Sequence, residues 1–363
     1  MRFVHLLFCC FLPTLALANP TCEFAGARQS FSQLIGSQNL PGGGLRIGDR
    51  RGVLAEDYLG GYDANTVIAI ASASKLLSAL RILQIAERGQ VSLDEPVVSY
   101  LPQFTGEKGT MTLRQMFSHT AGYGDDSGSL VLFNTNITLA QAVDQIACCR
   151  PLNAGYSVGG QFSYGGVSMH IAGRVAEVRG GGDWQARWQA DIGVPLGTTS
   201  IDWLAFGPTT NYGSAGSARS NLRDYGRVLA MLANRGRGNG QKVLRASSVA
   251  QLQVNLVGNL PIAYAPGNAE PPIRYGLGSW HDNVRIAPTK PLIHSLGAFG
   301  FFPWLDFERE LYGVFMIRGD AGINSVSVPV YNAMLASIAS EWDAGQCGYL
   351  SRNEELLVAD FED

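Results

Sequence analysis

Ser72 and Lys75 are the residues whose types and spacing suit chemistry, and they stand in VIAIASASKLLSAL, residues 67–80. Lysine is scarce in this chain, at Lys75, Lys108, Lys242 and Lys290, and only Lys75 interrupts a run built for burial. A buried ammonium is costly unless it is paired or has a task. Three residues apart on a helix, a serine hydroxyl and a lysine amine share a face and can meet. If Ser72 opens the helix, its backbone N–H is unpaired and can donate to an oxyanion. The positive helix end and desolvation also make a neutral amine accessible as base. The chemistry implied is attack of an activated serine on a carbonyl. The plain alternative is a lysine that snorkels out of a surface helix.

The elements around this pair set its position. A short helical stretch near residues 24–36 precedes GLRIGDRRGVLAEDYLGGY, a hairpin whose strands flank Asp49-Arg50-Arg51-Gly52. Leu76, Leu77, Leu80, Leu83 and Ile85 then recur at helical spacing, with Gly89 as C-cap. Residues 90–270 read mostly as helices broken by Gly/Pro/Asn loops. From about residue 273 strands return in RYGLGSW, LIHSLGAFGFF and LYGVFMIRG, followed by the helix SVPVYNAMLASIASEW. Strands, then helices, then strands, without βαβ alternation, predict an α+β fold. Its antiparallel sheet is built from both chain ends, with terminal helices on it and a helical lobe inserted. One catalytic domain is expected over 19–345, with an α/β lobe from 22–70 and 272–345 and a helical lobe over 71–271. The acidic stretch 346–363 is an unpatterned tail.

Seven ordered segments carry a resemblance. They are SASK at 72–75, LDEPVVSYLPQF at 93–104, TLRQMFSHTAG at 112–122, GQFSYGG at 160–166, PLG at 195–197, SARSNLRDYGRVL at 217–229 and HSLGAFGFFPWLD at 294–306. In this order they resemble the serine β-lactamase and penicillin-binding protein superfamily, especially its class C-like esterase and peptidase branch. The resemblance implies the β-lactamase/transpeptidase-like fold, Ser72 as nucleophile, Lys75 as its basic partner and Tyr164 as the catalytic tyrosine. A phenol beside an ammonium can shuttle a proton to the leaving group. Aligning Gly297 with the family's Lys-Thr-Gly glycine puts Ser295 in the lysine's place and makes Ala298 N–H the second oxyanion donor beside that of Ser72. It leaves His294 at the edge of the site, able to bond a substrate oxygen. His294, Ser295 and Gly297 are thus the expected substrate-binding residues. His119, in SHTAG, and Asp224 read as structural, and Asp125 and Asp126 as a solvated loop.

Departures from the family bear on substrate. The lysine that recognises the carboxylate of penicillins and peptide C-termini is missing, and Gly166 stands where an asparagine often contacts an acylamide. These losses favour an esterase or amidase acting on small acyl substrates over a β-lactamase or D,D-peptidase. A relative that acylates without turnover is a further alternative. Phe299, Phe301, Phe302 and Trp304 can line an acyl pocket, although core packing is the ordinary role of such residues. GYSVG at 155–159 fits the nucleophile elbow of α/β-hydrolases, which would make Ser157 the nucleophile, but it lacks the strand before and the helix after that this motif needs.

Composition bounds the rest. With 46% hydrophobic and 16% charged residues the chain is globular, and a formal charge of −3 offers nucleic acid no basic field. Beyond His5 in the leader, histidines at 119, 170, 281 and 294 show no ligand spacing, so neither metal nor cofactor is expected. The expected partner is a small-molecule or peptide substrate with an ester or amide carbonyl. MRFVHLLFCCFLPTLALA has a short apolar run ending in Ala16-Leu17-Ala18, a secretory signal cut before Asn19, with no later span for a membrane. Export leaves Cys22, Cys148, Cys149 and Cys347. Adjacent cysteines make a strained bridge, so a Cys22–Cys347 tether is expected. For Cys148 and Cys149 the alternative is a reduced, buried pair.

Overall fold

The computed structural model describes residues 22–124, 126, 129–267, 269, 271–282, 290–345, 347 and 351–352. The expected leader, Asp125 and nearly all of the acidic tail lie outside them. A helix α1 (Ala25–Ser37) leads into a hairpin of β1 (Gly42–Asp49) and β2 (Gly52–Gly60). Asp49 makes the turn, its carboxylate accepting the backbone N–H groups of Arg51 at 2.7 Å and Gly52 at 3.1 Å. After the helical middle come β3 (Trp280–His281), β4 (Leu292–His294), β5 (Phe302–Asp306), β6 (Leu311–Met316), the last helix and β7 (Ser351–Arg352). The sheet order is β7-β2-β1-β6-β5-β4-β3, every neighbouring pair antiparallel. Both chain ends therefore build one sheet, as the order of strand and helix patterns implies.

The middle of the chain supplies α2 (Ser74–Glu87), α3 (Leu139–Cys149), α4 (Val167–Gly180) and α5 (Leu222–Ala233), and α6 (Asn324–Asp343) closes the fold. One face of the sheet is covered by α1 and α6: Phe31, Leu34, Leu45, Phe302, Trp304, Phe315, Tyr331 and Met334 share one core. The other face packs on α5, where Gly44 and Gly226 let Leu222 and the Arg46 stem approach closely. The sequence grouped α5 with the inserted lobe; its packing is on the sheet. Every residue from Ser74 to Ile85 of α2 is buried. Buried on all sides, α2 lies at the centre of a lobe, so Lys75 has no surface to snorkel to.

Two expected strands are broken. LIHSLGAFGFF splits into β4 and β5 around a tight turn, in which Gly297 N–H bonds the Phe301 carbonyl and Gly300 takes φ +95°. RYGLGSW bends at Gly278, with φ +72°. The cysteines also differ from expectation in part. Cys22 and Cys347 are bridged, while Cys148 and Cys149 are bonded to each other and exposed at the end of α3, not reduced and buried.

Burial holds four histidines neutral. It lowers His170 and His281 to about 4, each also bonded, to Asn211 Oδ1 and the Leu252 carbonyl. It takes His294 to about 3 with help from His281, and His119 well below the usual range with help from Lys75. Unfolded histidines protonate near 6.5, so the unfolded chain binds more protons between that value and the folded ones. Stability is then full above about pH 6.5 and falls as pH drops below it, by roughly 2 kcal/mol per histidine at pH 5 as an upper figure. Urea unfolding at pH 7 and pH 5 should show a loss of several kcal/mol; equal values would mean that these histidines take protons within the fold.

Candidate active site

Ser72 lies on a single 3₁₀ turn, Ala71–Ala73, that runs straight into α2. Lys75 Nζ donates to Ser72 Oγ at 2.9 Å and to the Ala215 carbonyl at 2.8 Å, and stands 4.7 Å from the centre of the Tyr164 ring. The lysine is 3% exposed. The Ser72 N–H meets no acceptor among the described residues, as befits the start of a helix. Ala71 holds φ +45°, strained for a residue with a Cβ, and the surroundings impose it. Ser74 Oγ donates to the Ala71 carbonyl at 2.6 Å and accepts the Ala218 N–H. Tyr225 donates its buried hydroxyl to the Ala73 carbonyl at 2.8 Å, and Ser295 Oγ donates to the carbonyl of Ser72 itself at 3.0 Å. Gly278 lies against the Lys75 carbonyl, which a Cβ there would meet at 2.6 Å.

Tyr164 follows the short strand Phe162–Ser163, which pairs with Ile262–Tyr264, and its N–H bonds the Tyr264 carbonyl. Its ring stacks on Trp280, 5.2 Å between centroids at 27°, and packs against His119 at 4.4 Å. The phenol oxygen has no hydrogen-bond partner among the described residues. His119, at φ +59°, accepts the Gly165 N–H on Nδ1 at 3.4 Å, so the proton belongs on Nε2, which faces Tyr275 Oη at 3.2 Å. Burial and the adjacent Lys75 keep this imidazole uncharged, and burial holds the Tyr275 phenol protonated. The histidine thus fixes the ring and loop of Tyr164.

The residues expected to bind substrate from β4 have other tasks. Strand alternation puts Leu292, His294 and Leu296 on the α1/α6 face and Ile293, Ser295 and Gly297 on the face toward Ser72. His294 accordingly packs on Phe302, 4.9 Å away, and points away from Ser72. Ser295, 3% exposed, turns its hydroxyl to the Ser72 and Gly278 carbonyls instead of to solvent. Gly297 has both backbone groups occupied, N–H by Phe301 and C=O by Asn324 Nδ2, and abuts the Ile70 carbonyl. It cannot donate to an oxyanion; the exposed Ala298 N–H next to it meets no acceptor among the described residues. Phe301, Phe302 and Trp304 are buried in the two cores and line no acyl pocket. Ser157 sits exposed in a turn. Asp126 is no plain solvated residue, for its carboxylate accepts the Gly166 N–H at 2.6 Å. Asp224 Oδ2 accepts from Thr199 N–H, Ser200 N–H and Ser200 Oγ, a local structural role. Among the described residues no group of histidine, cysteine and carboxylate side chains has metal-site geometry.

Comparison with known proteins fits this geometry. The model of the beta-lactamase family matches residues 27–336. The chain belongs to the beta-lactamase family. A candidate beta-lactamase from Bacteroides dorei superposes with a TM-score of 0.71 at 29% identity, over 85% of this chain and 98% of that one. Esterase EstB of Burkholderia gladioli is 26% identical over 40% of each chain. Monacolin J acid methylbutanoyltransferase of Aspergillus terreus is 25% identical over 47% of this chain and 50% of its own. The aligned region spans half or less of the length of these curated relatives. The family is one of serine hydrolases, and its esterase, penicillin-binding and acyltransferase members are relatives of this chain.

Gly297→Ala should drive a methyl group into the Ile70 carbonyl and shift the turn that carries Ser72. The rate of fluorophosphonate labelling should fall by roughly 10². Gly36→Ala, where nothing lies within 4 Å, should leave that rate unchanged. Equal labelling of both variants would show that the turn relaxes without cost.

Proposed function

We propose that the protein is an exported serine hydrolase that cleaves esters or amides of small acyl groups through an acyl-enzyme on Ser72. The observation that carries this is the buried Lys75 amine, in contact with both Ser72 Oγ and the Ala215 carbonyl beneath the Tyr164 ring. Once the Lys75 ammonium has given up its extra proton to solvent, the amine takes the hydroxyl proton as Oγ attacks the carbonyl carbon. Tyr164, whose hydroxyl has no hydrogen-bond partner among the described residues, relays that proton to the leaving alcohol or amine as the C–O or C–N bond breaks. The N–H groups of Ser72 and Ala298 receive the developing oxyanion, each such donor being worth about 3–4 kcal/mol in other serine enzymes. Water, deprotonated by the same pair, then attacks the ester and releases the acid. The esterase among the relatives supports the reaction class. Ser295, in place of a cation on the face of β4 toward Ser72, supports esters and amides over carboxylate-bearing lactams. Two disulfides support export. No helix among the described residues is long and apolar enough to cross a membrane.

Intact-mass spectrometry after brief exposure to a fluorophosphonate, and separately to a penicillin, tests the proposal. Wild type and Ser157→Ala should each gain one fluorophosphonate adduct, and Ser72→Ala none. An adduct that survives Ser72→Ala would remove the nucleophile assigned here. A stable penicillin adduct would transfer the protein to the penicillin-recognising branch. Tyr164→Phe should retain labelling but lower ester turnover by 10²- to 10⁴-fold; turnover within a few-fold of wild type would mean that Lys75 carries the proton alone.

A further inference from the structure

The carboxylate of Asp126 has no part in the steps above. Its Oδ1 accepts the Gly166 N–H at 2.6 Å. A Cβ built on Gly166 would stand 3.2 Å from Asp126 Oδ2, 3.4 Å from Oδ1 and 3.1 Å from Ala215 Cβ. Ala215 is the residue whose carbonyl receives Lys75 Nζ at 2.8 Å. The absent side chain at position 166 therefore leaves a notch two residues beyond Tyr164, and Asp126 enters it from a separate loop. Its Oδ2 has neither a hydrogen-bond nor an ion-pair partner among the described residues. Asp126 is partly exposed.

A carboxylate with a free oxygen accepts hydrogen bonds, attracts an ammonium and repels another carboxylate. Resting on the Ser72 reading, we propose that Asp126 Oδ2 is a recognition point for a positively charged N–H donor on the acyl group. The acyl groups preferred at this site then carry an ammonium close to the reacting carbonyl, as in aminoacyl esters and amides. The same notch disfavours acyl groups bearing an anion. One oxygen of Asp126 anchors the loop to the start of α4, and the other faces the substrate. The chemistry at the carbonyl is unchanged: Ser72 forms the new C–O bond, the alcohol or amine leaves with a proton, and the ammonium remains intact.

Phenyl glycinate and phenyl propionate test this, because they are near-isosteres that exchange an ammonium for a methyl group. Their kcat/KM values are measured at pH 7, each divided by its hydrolysis rate in buffer. Wild type should favour the glycyl ester by at least tenfold, mainly through KM, and Asp126→Asn should lower that ratio at least tenfold. Asparagine keeps an oxygen for the Gly166 N–H, and fluorophosphonate labelling of the variant reports that the site is still assembled. A flat ratio in wild type, or a ratio untouched by Asp126→Asn while Ser72 still labels, overturns the role of Asp126 and leaves the Ser72 reading standing, with Asp126 a loop anchor only. Glycyl turnover in a protein whose Ser72 does not label would overturn both.

Discussion

A single buried ammonium organises this molecule. Lys75 is enclosed by a helix that is buried from Ser74 to Ile85, where an unmatched charge would be expensive. Three neutral groups receive it: a hydroxyl, a backbone carbonyl and the face of a phenol ring. Each comes from a different part of the chain, so the cation holds together the turn before α2, the segment around Ala215 and the loop after Phe162–Ser163. Removing any of these receivers strands a charge in a dry site, which costs more than the lost contact alone.

The sheet serves this arrangement through its alternation. Because successive side chains of β4 point to opposite faces, one register decides which residue reaches the Ser72 turn and which joins the α6 core. Ser295 takes the first place, and its hydroxyl bonds the Ser72 carbonyl directly. His294 takes the second and lies on Phe302. A slip by one residue would exchange them and bury an imidazole against the helix that carries Lys75. Gly297 follows on the same face as Ser295, where only a residue without a Cβ lets the strand end pass the Ile70 backbone.

Much of this was legible in the sequence, and the boundary has physical causes. The hairpin, α2 and the sheet drawn from both chain ends follow from local patterns: turn residues around Asp49, leucines at helical spacing and the order of strand and helix segments. The Ser72–Lys75 contact follows from helix geometry alone. Ser74, Tyr225, Ala215 and Gly278 gave no signal, since each acts through a backbone carbonyl or a close approach far away in sequence. The tasks of His294 and Ser295 depend on which face of β4 each takes, and the pairing register with β5 that sets this is not visible in the local sequence. The Cys148–Cys149 bond is a different case: the spacing leaves it open against a reduced, buried pair, and the two cysteines stand bonded at the exposed end of α3.

His119 shows why a buried histidine can be needed without touching the reaction. A phenylalanine would pack against Tyr164 equally well, but it offers nothing to the Gly165 N–H or to Tyr275. The imidazole does both, accepting on Nδ1 and facing the phenol with Nε2. It can do so only while uncharged, because a protonated ring has no acceptor nitrogen for Gly165. Burial and the repulsion of Lys75 keep it so. The lysine and the histidine are therefore complementary: the charge on one fixes the protonation of the other, and the fixed tautomer holds the loop that places Tyr164 over the lysine. That closed set of constraints also accounts for the strained φ of His119, which puts its ring between the two tyrosines.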